Sequence, residues 1–203
     1  MDQIKKFIMD NNIQRLEDKV SLPKDKFSPY KWQAPVIQQP NHLKEYVKLI
    51  GMFDAVIQEI AVVEYTCMFG PPSIQKNSWT FEFDNPIVLI TTHGNFEITF
   101  NESSSVRISK DSIPKKFRCS VEDLAHCHLQ EPLSHLIGEK ITGITVHEQT
   151  FDTADFDFTG SCGIDLPYDL PAYIKEMRLH LESERHLSFS SDFDWGIISL
   201  IDS

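Results

Sequence analysis

At 203 residues the chain is long enough for one large domain or two small ones with a substantial core. Its 41% apolar and 24% charged residues are those of an ordinary globular protein, which excludes wholesale disorder. No apolar run reaches the roughly 18–20 residues that cross a bilayer, and a net charge of −11 repels phosphate backbones, so neither membrane nor nucleic acid is expected as a partner.

The charge is unevenly spread. Residues 1–50 carry nine Lys/Arg against six Asp/Glu, or +3; the remaining ten against twenty-four give −14 for residues 51–203. The start, MDQIKKFIMDNNIQ, has lysines but neither a long apolar core nor a small-residue cleavage site, so no export signal is expected. Cys67, Cys119, Cys127 and Cys162 show no CxxC spacing, which points to reduced thiols and a cytoplasmic location.

Along the first twenty residues Ile4, Phe7, Ile8, Leu16 and Val20 fall at roughly helical spacing, interrupted by Asn11 and Asn12, and predict an amphipathic helix. Pro23, Pro29, Pro35 and Pro40 argue against a long helix or a central strand over 21–40, while Tyr30 and Trp32 pin this stretch to the body. Asn41 can cap a helix bearing Leu43, Tyr46, Val47 and Ile50, stopped by Gly51.

From residue 52 the pattern changes to strands. Val56, Ile57 and 60–63 are β-branched or small and apolar, which suits a buried strand closed by Gly70, Pro71 and Pro72. Trp79, Phe81 and Phe83 alternate with Thr80 and Glu82. A hairpin follows over 87–100 about His93, Gly94 and Asn95, then a strand at 106–108.

Ser120 and Asp123 resemble a capping box ahead of Val121, Leu124 and Cys127, and Pro132 begins a further helical turn ending at Leu136, Ile137 and Gly138. Met177, Leu179 and Leu181 then alternate with Arg178, His180 and Glu182. After a polar break, Leu187 and Phe189 resume the alternation, and 197–201 adds a third strand.

The second half echoes the first. Leu49-Ile50-Gly51 precedes a strand ending at Glu64, and Leu136-Ile137-Gly138 precedes Ile144 to Glu148; Phe156 and Phe158 stand for Phe81 and Phe83. Ile98 matches Phe189 and Val106 matches Ile197, both at a separation of 91. The expected fold is therefore α+β and predominantly antiparallel. Two related meander units form a pseudo-two-fold duplication, each preceded by short helices, with an N-terminal helix before both. The expected organisation is an N-terminal segment 1–40 packed on the body, a first unit 41–118 and a second unit 119–203, together one compact domain.

Chemistry is sparse. Cys119, His126, Cys127, His128 and His135 offer thiolate and imidazole, as zinc prefers, but no C-x₂₋₄-C or H-x₃₋₅-H pair exists. Cys119, His126, His128 and His135 are thus weak metal candidates only, and no metal or other cofactor is expected. Asp155, Asp157, Thr159 and Gly160 imitate the start of a calcium loop, but Leu166 stands where a bidentate Glu is needed. A strand with aspartates out and phenylalanines in explains the same letters. There is no nucleophile elbow and no phosphate-binding glycine loop, and a convergent pair such as Glu64 and Glu148 would require the pseudo-symmetry to bring it together.

The acidic surface is more suggestive. Residues 145–203 hold twelve Asp/Glu and three Lys/Arg, with Asp192, Phe193, Asp194 and Trp195 together at a turn. Aromatics flanked by carboxylates suit contact with a basic protein. The expected function is a non-catalytic, acidic protein-binding module, an inhibitor or immunity-type protein for a basic partner. The alternatives are a metal-dependent hydrolase using the 119–135 cluster, and a small-ligand or structural domain.

Overall fold

The alternating stretches fold as strands of two antiparallel sheets in the computed structural model, which describes residues 2–19, 31–63, 73–75, 78–83, 86–101, 105–115, 118–120, 133–149, 173–192 and 195–201. The first half contributes α1 (Gln3–Asp10), β1 (Arg15–Lys19), β2 (Lys31–Ile37), α2 (Pro40–Leu49), β3 (Ile57–Val63), β4 (Ser73–Gln75), β5 (Ser78–Phe83), β6 (Ile87–Thr91), β7 (Gly94–Asn101) and β8 (Ser105–Lys110). The second contributes β9 (Arg118–Ser120), β10 (Ile141–Gln149), β11 (Tyr173–Leu181), β12 (His186–Asp192) and β13 (Trp195–Ile201). Among the described residues, one sheet has seven strands in the order β1-β2-β8-β7-β6-β3-β9, and the other has six in the order β10-β11-β12-β13-β5-β4. The α+β class, dominated by antiparallel sheet with an N-terminal helix, is the expected one.

Period-2 alternation builds the core. Phe96, Ile98 and Phe100 of β7 and Ile108 of β8 meet Leu179, Phe189, Ile198 and Leu200 of the other sheet in one continuous apolar cluster, closed by Leu43, Tyr46 and Val47 of α2. Phe189 has no exposed surface, so truncating it to Ala would cost about 3–5 kcal/mol. The outer face of the seven-stranded sheet carries a second, smaller cluster of Trp32, Ala34, Ala61, Val63, Val88 and Ile113.

Three local expectations need correction. The N-terminal helix is short: Asp2 caps it by accepting from the Ile4 amide at 3.1 Å, and it ends at Asp10, before Asn12 takes a φ of 56°. Leu16, expected on that helix, lies on β1 opposite Ala34. The proline-rich stretch does contain an inner strand, since β2 pairs with both β1 and β8. It tolerates Pro35 because the Val36 amide donates toward β1, to Gln14 O, so the missing amide of Pro35 belongs on the β8 side. There the pairing spans only Val36 and Ile37. Finally, α2 begins with Pro40 in its first turn after Gln39, not with Asn41 as a cap.

The two meanders β3-β6-β7-β8 and β10-β11-β12-β13 have the same spatial order, each strand antiparallel to the next. Gly51 and Gly138, ahead of β3 and β10, both have positive φ, 73° and 91°. The approaches to β3 and β10 also pair with each other. The Asp54 amide donates to Ile141 O, Ile141 to Ala55 O, Ile57 to Glu139 O and Gly138 to Ile57 O, at 2.8–2.9 Å.

The register corrects one equivalence. Ile98 pairs with Ile108, and Phe189 with Ile198, so aligning Ile98 with Phe189 aligns Ile108 with Ile198 at 198 − 108 = 90. Val106 therefore does not match Ile197; a one-residue slip would put them on opposite faces. Three strands break the division between the halves: β9 joins the seven-stranded sheet beside β3, and β4 and β5 join the six-stranded one. β5 leaves the first meander and pairs along β13, in register from Gly196–Phe83 to Ile201–Ser78. Phe156 and Phe158, their proposed counterparts, lie outside the described residues, as does the helix expected after Ser120, which itself ends β9.

Candidate functional site

The sequence singled out two groups, and the fold places them differently. Asp192 and Trp195 are the last register pair of the β12–β13 hairpin, so the acidic turn is its tip; Phe193 and Asp194 lie outside the described residues. Of the cysteine–histidine set, Cys119 lies on β9 opposite Val62, and His135 is exposed in the turn before Gly138. His126, Cys127 and His128 lie outside the described residues, as do the calcium-like run 155–166 and Glu64. Among the described residues no group of three His, Cys, Asp or Glu side chains could hold a metal ion.

The densest polar cluster lies elsewhere, on the outer face of the six-stranded sheet. Alternation sends Met177, Leu179 and Leu181 into the core and leaves Glu176, Arg178 and His180 on the other face. Register sets His147, Thr145 and Gly143 of β10 beside these three, and Ser190, Ser188 and His186 of β12 on the far side. Arg178 donates to both oxygens of Glu176 at 2.8–3.1 Å, and the Ser188 hydroxyl also donates to Glu176. His147 Nε2 stands 3.8 Å from the same carboxylate. His180 Nε2 and Thr145 Oγ1 share a hydrogen bond of 2.6 Å, and the His180 and His186 rings meet edge to face at 4.6 Å.

Burial holds the His180 imidazole below its usual pKa, helped by the neighbouring His186, Arg178 and His147. Two ring nitrogens, His147 Nε2 and His186 Nδ1, are buried without a hydrogen-bond partner. Three imidazoles thus stand about one ion pair, Glu176 with Arg178. The order of contacts does not activate Ser188. Its partner is the carboxylate itself, whereas nucleophilic catalysis needs an imidazole between hydroxyl and acid.

The other sheet holds a different polar centre. Glu97, between inward Phe96 and Ile98, has no exposed surface. Its Oε1 accepts from the amides of Ser112 and Ile113 at 3.0 and 3.1 Å, and Oε2 accepts from the Ser109 hydroxyl at 2.8 Å. Ser109 Oγ in turn accepts from the Trp32 indole at 2.6 Å, and the Arg118 guanidinium stands 4.0 Å from the carboxylate. Burial pushes the Glu97 pKa up to about 7, against the opposing pull of Ile113, Ser109 and Arg118.

Neither polar centre was picked out from the sequence. Alternation marks His180 and Glu97 as facing away from the core, but only strand pairing brings His147 and His186 to one face, or Ser109 to Glu97. Comparison with protein-family models, with curated proteins and with solved structures returns no match.

Proposed function

We propose that the chain is a non-catalytic, acidic protein-binding module that engages a basic protein, in the manner of an inhibitor or immunity-type protein. The observation that carries this reading is the convergence of carboxylate positions at one end of the six-stranded sheet. Register brings Glu148 near the end of β10, Asp192 to the end of β12 and Glu82 near the end of β5, with Trp195 opening β13 beside Asp192. Glu148 is exposed. With −14 over residues 51–203 (ten Lys/Arg, twenty-four Asp/Glu), such an end would steer a cationic surface toward the hairpin tip.

The test is capture of partners from the native lysate at low salt, followed by association kinetics. A basic protein whose association slows markedly between low and moderate salt, with little change in dissociation, supports the proposal. Only acidic partners, or an association indifferent to salt, would end it.

A further inference from the structure

After β8, residues 111–115 lie over the outer face of the seven-stranded sheet and act as a strap. Ile113 is fully buried there against Trp32, Ala34, Ala61, Val63 and Val88. Its peptide group is gripped from two sides: the amide donates to Glu97 Oε1, and the carbonyl accepts from the Arg118 guanidinium. Ser112 adds a second amide to Glu97 Oε1. One carboxylate thus supplies the acceptor for two consecutive strap amides. We propose that the strap is a proton-controlled latch, held closed while Glu97 carries a proton and loosened when that proton is lost.

Solvation couples the proton to the strap. With the strap closed, Glu97 is cut off from water, and a charge there must be supported by protein groups alone. From β8, Ser109 gives one hydroxyl; Arg107, in the next row, is itself lowered by burial. From β9, Arg118 is 4.0 Å away. The strap gives two amides but also Asp111, whose charge opposes ionisation of Glu97. β6 and β3 present only Val88 and Ala61 in the same row, and β2 presents the neutral Trp32 indole to Ser109. These groups do not replace the lost water, and Glu97 stays protonated to about pH 7. Lifting the strap admits water and returns the carboxyl toward an ordinary value of about 4.3. Opening is therefore linked to proton release: the closed form is favoured at low pH, and rising pH through about 7 weakens it.

The proton also has a reporter. An acid proton on Oε2 would donate to Ser109 Oγ, which already accepts from the Trp32 indole, so the Ser109 hydroxyl proton must turn away. The indole N–H senses that change directly.

Hydrogen exchange and the indole resonance can be followed by NMR on the whole chain between pH 5 and 8. After correction for intrinsic exchange, the Ser112 and Ile113 amides should lose protection roughly tenfold or more as pH rises. The Trp32 indole N–H signal should move over the same range, and Glu97→Gln should flatten both responses. A strap protection independent of pH, or a Trp32 signal that stays still from pH 5 to 8, would overturn the latch. Both signals are measured on the unmodified chain, so the test holds even where the Glu97→Gln chain does not fold.

Discussion

Arg185 donates to Glu139 Oε1 at 2.8 Å, tying the turn between β11 and β12 to the segment that leads into β10. The same guanidinium reaches His135 O at 2.9 Å, and the Ser183 amide donates to the other oxygen of Glu139 at 3.1 Å. Neither side chain is more than a quarter exposed, at 24% and 15%. Arg185→Ala should lower stability by about 1–2 kcal/mol, more than an ordinary surface pair, because three acceptors lose a donor or its support. Burial alone would raise the Glu139 pKa, but the bonds from Arg185 and Ser183 hold it below the usual carboxylate range. Its contribution is thus complete above that range and disappears as acid protonates the folded form. Denaturant melts of wild type and variant should differ most at pH 7, and the difference should shrink as acid protonates Glu139 in the folded chain.

The histidine face responds to pH separately. His180 titrates lower in the fold than in the unfolded chain, because burial and three cationic or cationisable neighbours disfavour its charge. As pH falls through about 6.5, the unfolded chain takes up that proton first, and stability drops. Replacing the ring by His180→Gln keeps a polar partner for Thr145 and removes the titration. Melting temperatures measured from pH 7.5 to 5 should fall less in the variant than in wild type. An identical fall in both would show that burial and these neighbours place no penalty on the His180 charge.

Glycine tests the join between the meanders. Gly51 and Gly138 have φ of 73° and 91°, and a Cβ at either would meet nothing closer than the Lys110 Nζ, 3.9 Å from Gly51. Alanine there would strain the backbone without a clash, so each substitution should cost about 1 kcal/mol, and by a similar amount at both sites. Chemical denaturation of the two single variants checks this. A common origin of the two meanders by duplication is our proposal, and equal costs are what it expects of equivalent positions.

What was legible in the sequence was local alternation. Met177, Leu179, Leu181, Leu187 and Phe189 declared both the hairpin and its inner face, because an exposed and a buried face impose period 2 directly on the letters. β1 was not legible: Arg15–Lys19 reads RLEDK, and its strand state comes from pairing with β2. The passage of β5 into the other sheet left no local mark either, since Trp79, Phe81 and Phe83 would alternate equally well on any edge. Alternation marks Glu97 only as facing away from the core. It is buried only because residues 111–115 return over it, a long-range event that composition does not encode.

Asp192 and Trp195 close the β12–β13 register, so the acidic residue and the aromatic one occupy adjacent ends of two paired strands. Charge acts at a distance, and an apolar ring acts on contact, so the two should affect different rate constants. Steering falls off within a Debye length, about 8 Å at physiological salt. Removing charge by Asp192→Asn together with Asp194→Asn should therefore slow association with a basic partner at low salt and leave dissociation nearly unchanged. Trp195→Ala should do the reverse, speeding dissociation by tenfold or more if the ring fills a partner pocket, at the roughly 2 kcal/mol expected of an aromatic anchor. Surface-bound kinetics at two salt concentrations separate the effects. Salt-sensitive association that the Asp192 and Asp194 variants leave intact would move steering to Glu82 or Glu148, and an unchanged dissociation rate in Trp195→Ala would remove the tryptophan from the contact.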